Sequence, residues 1–119
     1  MKTAGRPLHF ATAETWRAWL EENHATRDDA WLLISKKHAG TPSVTVDQAV
    51  EEALCFGWID SSMQPIDDER YTLRFTPRRK TSNWSERNKD RAARLIEEGR
   101  MTEAGLAKIA EAKQNGRWA

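Results

Sequence analysis

The 119 residues contain one cysteine, Cys55, which excludes an internal disulfide framework and leaves any thiol-based metal site short of ligands. Three histidines, His9, His24 and His38, are scattered, and no HExxH, P-loop or GxGxxG pattern is present, so no metal and no nucleotide cofactor is expected. No apolar run approaches the ~18 residues that a membrane helix requires. The opening Met1-Lys2-Thr3-Ala4-Gly5-Arg6-Pro7 is polar where a signal peptide is apolar. These absences together predict a cytoplasmic chain without membrane insertion. Repeats, linkers and low-complexity tracts are also missing, so residues 1–119 read as one domain with residues 1–8 mobile.

What is present is aromatic and charged. Six tryptophans, 39% hydrophobic and 31% charged residues describe a chain whose interior leans on large ring anchors. A chain of this size buries roughly two thirds of its unfolded surface without staples. The net charge of +1 hides an asymmetry. Residues 70–94 hold nine Lys or Arg against Glu86 and Asp90, a net of +7, and leave −6 on the remainder. Such a segment either recruits an anionic partner or lies against the chain's own acids, for example Glu51-Glu52 and Asp67-Asp68-Glu69.

Periodicity gives the elements. Thr12 can cap a helix to about Asn23 with Trp16, Trp19 and Leu20 on one face, and His24 then lies at the negative helix end in a local structural role. Ala30 to Ser35 is a continuous apolar run, expected as a strand covered on both faces. His38 should face solvent, and Gly40-Thr41-Pro42-Ser43 should turn the chain. Thr45 with Gln48 makes a capping box for a helix to about Cys55, which Gly57 ends. Trp58 to Met63 and Arg70 to Thr76 read as a hairpin around an acidic turn at 64–69. In its second strand Tyr71, Leu73 and Phe75 face one side, Thr72, Arg74 and Thr76 the other. If the strands pair, Asp60 and Arg74 can share a polar face. Pro77 stops the strand, and Ser82 or Asn83 can cap a helix carrying Ala92, Leu95 and Ile96, which Gly99 ends. A last helix from Thr102 buries Leu106, Ile109 and Ala110, and Trp118 tucks back as an anchor. The expected class is α+β, with about three strands in an antiparallel or mixed sheet and about four helices.

The strongest candidate chemistry is an anion site at the start of the helix near Ser82 to Ser85. Free N–H groups of a helix start, preceded by Arg78, Arg79 and Lys80 and joined by Ser82, Ser85 and Asn88, suit a phosphate or carboxylate. Arg74 adds charge, while Trp58, Asp60 and Trp84 shape the site. The bland alternative is a simple cap with solvated arginines. Nucleic acid is a second possible partner, with Tyr71 or Trp84 for stacking, although the total charge is near neutral and the glycine-aromatic signature of RNA-binding sheets is missing. A third reading is an enzyme built on Cys55, with His24 or His38 as base, or on Asp60 with Asp67 or Asp68. Against it, a cysteine at the end of an apolar helix face is usually a small buried hydrophobe. No catalytic residue is assigned. The reading from the residues is a non-enzymatic domain that binds an anionic small molecule or an acidic protein surface.

Several stretches resemble one family along nearly the whole chain. They are Trp16-Arg17-Ala18-Trp19-Leu20, Trp31-Leu32-Leu33-Ile34-Ser35-Lys36-Lys37, Glu52-Ala53-Leu54-Cys55-Phe56-Gly57-Trp58-Ile59-Asp60-Ser61, Arg74-Phe75-Thr76-Pro77-Arg78-Arg79, Ser82-Asn83-Trp84-Ser85 with Asn88, and Gly99-Arg100-Met101-Thr102 with Gly105-Leu106. In this order they resemble the YdeI/OmpD-associated family, also called bacteriocin-protection proteins. The resemblance implies a small α+β domain and a link to tolerance of bacteriocins or cationic antimicrobial peptides. It implies no catalytic residues. Many members of that family continue past the Gly116-Arg117-Trp118 position with a further helical segment.

Overall fold

Each helix begins where a hydroxyl meets its first free amides. In the computed structural model, which describes residues 7–36 and 43–118, Thr12 caps α1 (Ala13–Asn23), Thr45 caps α2 (Val46–Cys55), Ser85 caps α3 (Glu86–Glu97) and Thr102 caps α4 (Glu103–Gln114). Each hydroxyl accepts from an amide three residues on, contributing about 1 kcal/mol per cap. The Thr45 box is closed by Gln48, as its spacing predicts, and the Thr12 box by Thr15. Ser85 stands three residues beyond Ser82, the earlier of the expected caps. The hydroxyl of Ser82 and the carbonyl of Asn83 both accept from Arg78 instead.

Strands β1 (Leu8–His9), β2 (Ala30–Ser35), β3 (Trp58–Pro65) and β4 (Arg70–Pro77) form one mixed sheet in the order β1-β2-β4-β3. The fold is α+β with four helices and four strands among the described residues. The additional strand is β1, whose Leu8 pairs in parallel with Leu32 although it was expected in a mobile start. Two residues are too short to show a period. Residues 1–6 and the expected turn with His38 lie outside the described residues.

Registers Leu32↔Leu73 and Ala30↔Phe75 align one sheet face, and these four residues pack with Trp16, Leu20, Ala53, Trp58 and Leu95 in the core. Trp16 is fully buried, touches Phe10, Trp19 and Phe75 at 5.4 to 5.5 Å, and donates its indole N–H to the Ala49 carbonyl at 3.0 Å. Such rings carry much of the core energy because each buries a large apolar area. On the other face of β4, Thr72 is buried, so that face is less open than alternation suggests.

Helix α4 buries Ile109 as expected but otherwise turns a different side inward. Gly105, Ile109 and Ala112 are buried, whereas Leu106 is 44% exposed and Ala110 is exposed. The cause is close approach: a Cβ on Gly105 would stand 2.5 Å from the Cys55 carbonyl oxygen, so only glycine lets α4 lie against the end of α2. Ile96 of α3 is likewise 47% exposed. Glu52, buried on α2, accepts from Arg17 of α1 at 2.9 Å and from Arg100 between α3 and α4, clamping three parts of the chain.

Candidate functional site

Most of the basic segment is matched internally. Six of its nine cations, Arg70, Arg74, Arg87, Lys89, Arg91 and Arg94, pair with Asp67, Asp29, Asp47, Glu86, Asp47 and Glu51 respectively. Arg78, Arg79 and Lys80, on the loop after β4, enter no ion pair among the described residues. Arg79 and Lys80 are exposed.

Arg78 is different in kind, being only 3% exposed. Pro77 ends β4, and the Arg78 amide then donates to the Gly57 carbonyl at 2.9 Å, which ties the loop to the turn between α2 and β3. From that anchor the guanidinium lies 3.8 Å from the centroid of the Trp84 ring. Trp84 is itself buried, and Trp118 packs on it at 5.0 Å, so the C-terminal segment forms the floor. Nη1 donates to the Ser82 hydroxyl at 2.8 Å and to the Asn83 carbonyl at 3.3 Å. Nε is buried without a partner. Nη2 takes part in no hydrogen bond among the described residues, so the whole Nε/Nη2 edge is unused. That edge presents two roughly parallel N–H groups, the geometry that grips a carboxylate or phosphate in bidentate fashion.

The electrostatics agree. Burial holds the Arg78 guanidinium down at about 10, while the charge of Asp60 acts in the opposite direction. An arginine stays protonated under ordinary conditions, so this depression measures lost hydration rather than a neutral side chain. The residue borders a cleft of about 630 Å³ whose walls include Asp28, Asp60, Arg74, Arg78, Arg79 and Ser82.

Five of the expected site residues, Asp60, Arg74, Arg78, Arg79 and Ser82, therefore meet at this cleft, and Trp84 lies under Arg78. Three do not. Trp58 is buried edge-on to Trp19 at 6.0 Å, Ser85 is the cap of α3, and Asn88 accepts from Arg91 at 3.2 Å. Asp60 pairs in register with Phe75, one step away from Arg74; the two line the same cleft, and the ion-pair partner of Arg74 is Asp29 at 3.2 Å. Asp28 and Asp29 were missed because their approach depends on how β2 pairs with β4, which single-strand patterns do not state.

Cys55 is fully buried, and burial, the largest influence, pushes its thiol up despite a hydrogen bond from Arg17. The ring of His24, one of the two bases weighed for Cys55 in the enzyme reading, lies against the Leu20 carbonyl at 2.7 Å and the Phe56 ring at 5.1 Å; the other, His38, lies outside the described residues. A second cleft, of about 580 Å³, runs along Arg17, Glu51, Glu52 and Arg100, whose charges answer one another. No helix among the described residues is long and apolar enough to cross a membrane.

Fold and site define a small α+β domain with a charged surface cleft and, at its edge, a buried arginine that enters no ion pair among the described residues. The chain belongs to the DUF8412 family, a domain of unknown function whose model matches residues 8–108. No curated protein and no solved structure matches it.

Proposed function

We propose that this protein is a non-enzymatic binding domain whose β4–α3 loop cleft takes an anionic group, from a small molecule or an acidic protein surface, on the free edge of Arg78. The observation that carries the reading is the buried Arg78 Nε without a partner. A buried donor left unpaired costs about 1 to 3 kcal/mol, more when charged, and an incoming oxyanion removes that cost. Ser82 and Trp84 fix the guanidinium plane beforehand, so little side-chain freedom is lost on binding. Arg79, exposed at the rim, adds attraction at long range.

The site differs in place from the one expected at the helix start, since the α3 cap is Ser85 and the free cations precede it. Nucleic acid is the weaker partner in this reading. Trp84 is buried beneath Arg78, and six cations of the segment already face acids. Through the family resemblance read in the sequence, a role in tolerance of bacteriocins or cationic peptides, exercised in the cytoplasm, belongs to the same proposal.

A thermal-shift panel of acetate, phosphate, nucleotides and short oligonucleotides, at two salt concentrations, tests the reading on the native protein and on Arg78→Met. A probe at 100 times its dissociation constant adds about 2.7 kcal/mol of stability. A shift confined to the native protein is expected. Equal shifts in both proteins, or none with any anion, would overturn the assignment.

A further inference from the structure

The cleft beside Arg78 is not uniformly positive. Arg74 is already neutralised by Asp29. The remaining charged side chains on its walls are of both signs, Arg78 and Arg79 with Asp28 and Asp60. Asp28 and Asp60 are exposed, and neither carboxylate enters an ion pair or hydrogen bond among the described residues. A plain anion entering here meets the free arginine edge and the two carboxylates together. Phosphate, with its higher charge, suffers most from that repulsion.

Hydroxyl groups of Ser61, Thr81 and Ser82 lie along the same walls, and a volume of about 630 Å³ is ample for a molecule larger than a single oxyanion. A ligand with an acid group at one end and an ammonium group at the other would place each charge against its complement. We infer that the ligand of this cleft is zwitterionic, an amino acid or a compact peptide-like molecule, with its carboxylate on the Nε/Nη2 edge of Arg78 and its ammonium group against Asp60 and Asp28. This inference rests on the reading of Arg78 as the anion-binding group and adds the cation-binding side. No covalent step is involved, and selectivity comes from the pairing of two charges at a fixed separation.

The test uses probes that differ only in that pairing. Affinities of glycine, β-alanine, 4-aminobutyrate and 6-aminohexanoate are compared with those of acetate, propionate, butyrate and hexanoate at one ionic strength, for the native protein and for Asp60→Asn, Asp28→Asn/Asp60→Asn and Arg78→Met. Asp60 is exposed and enters no ion pair among the described residues, so Asp60→Asn should lower the urea midpoint only slightly, through the lost attraction for Arg78. One zwitterion is expected to bind roughly fivefold more tightly than its matched acid, the upper range for a partly exposed charge pair. The length of that zwitterion reports the separation of the two charges. The advantage should shrink in Asp60→Asn, where Asp28 alone faces the ammonium group, and vanish in Asp28→Asn/Asp60→Asn, while both probes lose affinity in Arg78→Met. Simple acids binding as well as every zwitterion, with affinity still dependent on Arg78, would overturn the zwitterion inference and leave the anion site standing. If neither series binds, or binding is indifferent to Arg78, both fall.

Discussion

Replacing Arg78 by methionine should cost the unliganded fold little. The guanidinium gives up roughly 3 kcal/mol of hydration, judged from its pKa being held down at about 10. Its residual solvent contact trims this to about 2 kcal/mol. On the favourable side, the bonds to Ser82 and Asn83 contribute about 2 kcal/mol together. The contact with Trp84 contributes about 1 kcal/mol. Methionine keeps much of the apolar contact on the indole face and carries no charge to desolvate. The net loss should therefore be near 1 kcal/mol, a fall of about 4 °C in Tm for a domain of this size. Urea unfolding followed by tryptophan fluorescence measures it, with an unchanged m-value as the check on two-state behaviour. A loss above about 4 kcal/mol would refute the reasoning, because Arg78 would then be a structural rivet of the loop rather than a group held ready for a ligand.

Three further outcomes follow from the same geometry. Glu52→Gln leaves Arg17 and Arg100 facing a neutral amide in a buried setting, and should cost about 3 kcal/mol by urea unfolding; the further acids near both arginines keep it at the low end of the range for a broken buried pair. Gly105→Ala should destabilise although alanine is the better helix former by about 1 kcal/mol, because the new Cβ would stand 2.5 Å from both the Cys55 carbonyl oxygen and the Met101 sulfur; a rise in Tm would contradict the packing of α4. Cys55 should react with iodoacetamide only on unfolding. Because burial raises its pKa in the fold, the unfolded thiol ionises first, and stability should fall as pH rises above about 8.5, a contribution absent from Cys55→Ala.

Much of the fold was legible because it rests on local chemistry. The hydroxyls at Thr12, Thr45 and Thr102, the apolar run Ala30–Ser35 and the turn glycine at 57, with φ of 77°, each act through near neighbours in the chain. What escaped is relational. The inward side of α4 depends on Gly105 meeting the end of α2, a contact between residues 50 apart in sequence, and β1 exists only through its partner β2. The candidate site shows the same division. Arg78 and Ser82, four residues apart, could be drawn together from the sequence, as could the charge excess. The burial of Arg78 against Trp84, the diversion of Arg74 to Asp29 and the arrival of Asp28 at the cleft are set by tertiary packing. The cap was assigned too early because Ser82, Asn83 and Ser85 offer similar chemistry, and the demand of Arg78 for acceptors decides among them.

The most direct measurement is the arginine Nε–H resonance of Arg78 in ¹⁵N-labelled protein, identified by its absence from Arg78→Met. A buried donor without an acceptor should exchange slowly with solvent and appear as a distinct signal in the unliganded protein. Titration with acetate, and separately with 6-aminohexanoate, should move this signal downfield and saturably as an oxyanion takes up the Nε/Nη2 edge, while Arg17 and Arg100, already bonded to Glu52, stay in place. A resonance that remains fixed while another arginine responds, or that stays unmoved throughout both titrations, would contradict the assignment of Arg78 as the ligand-binding group.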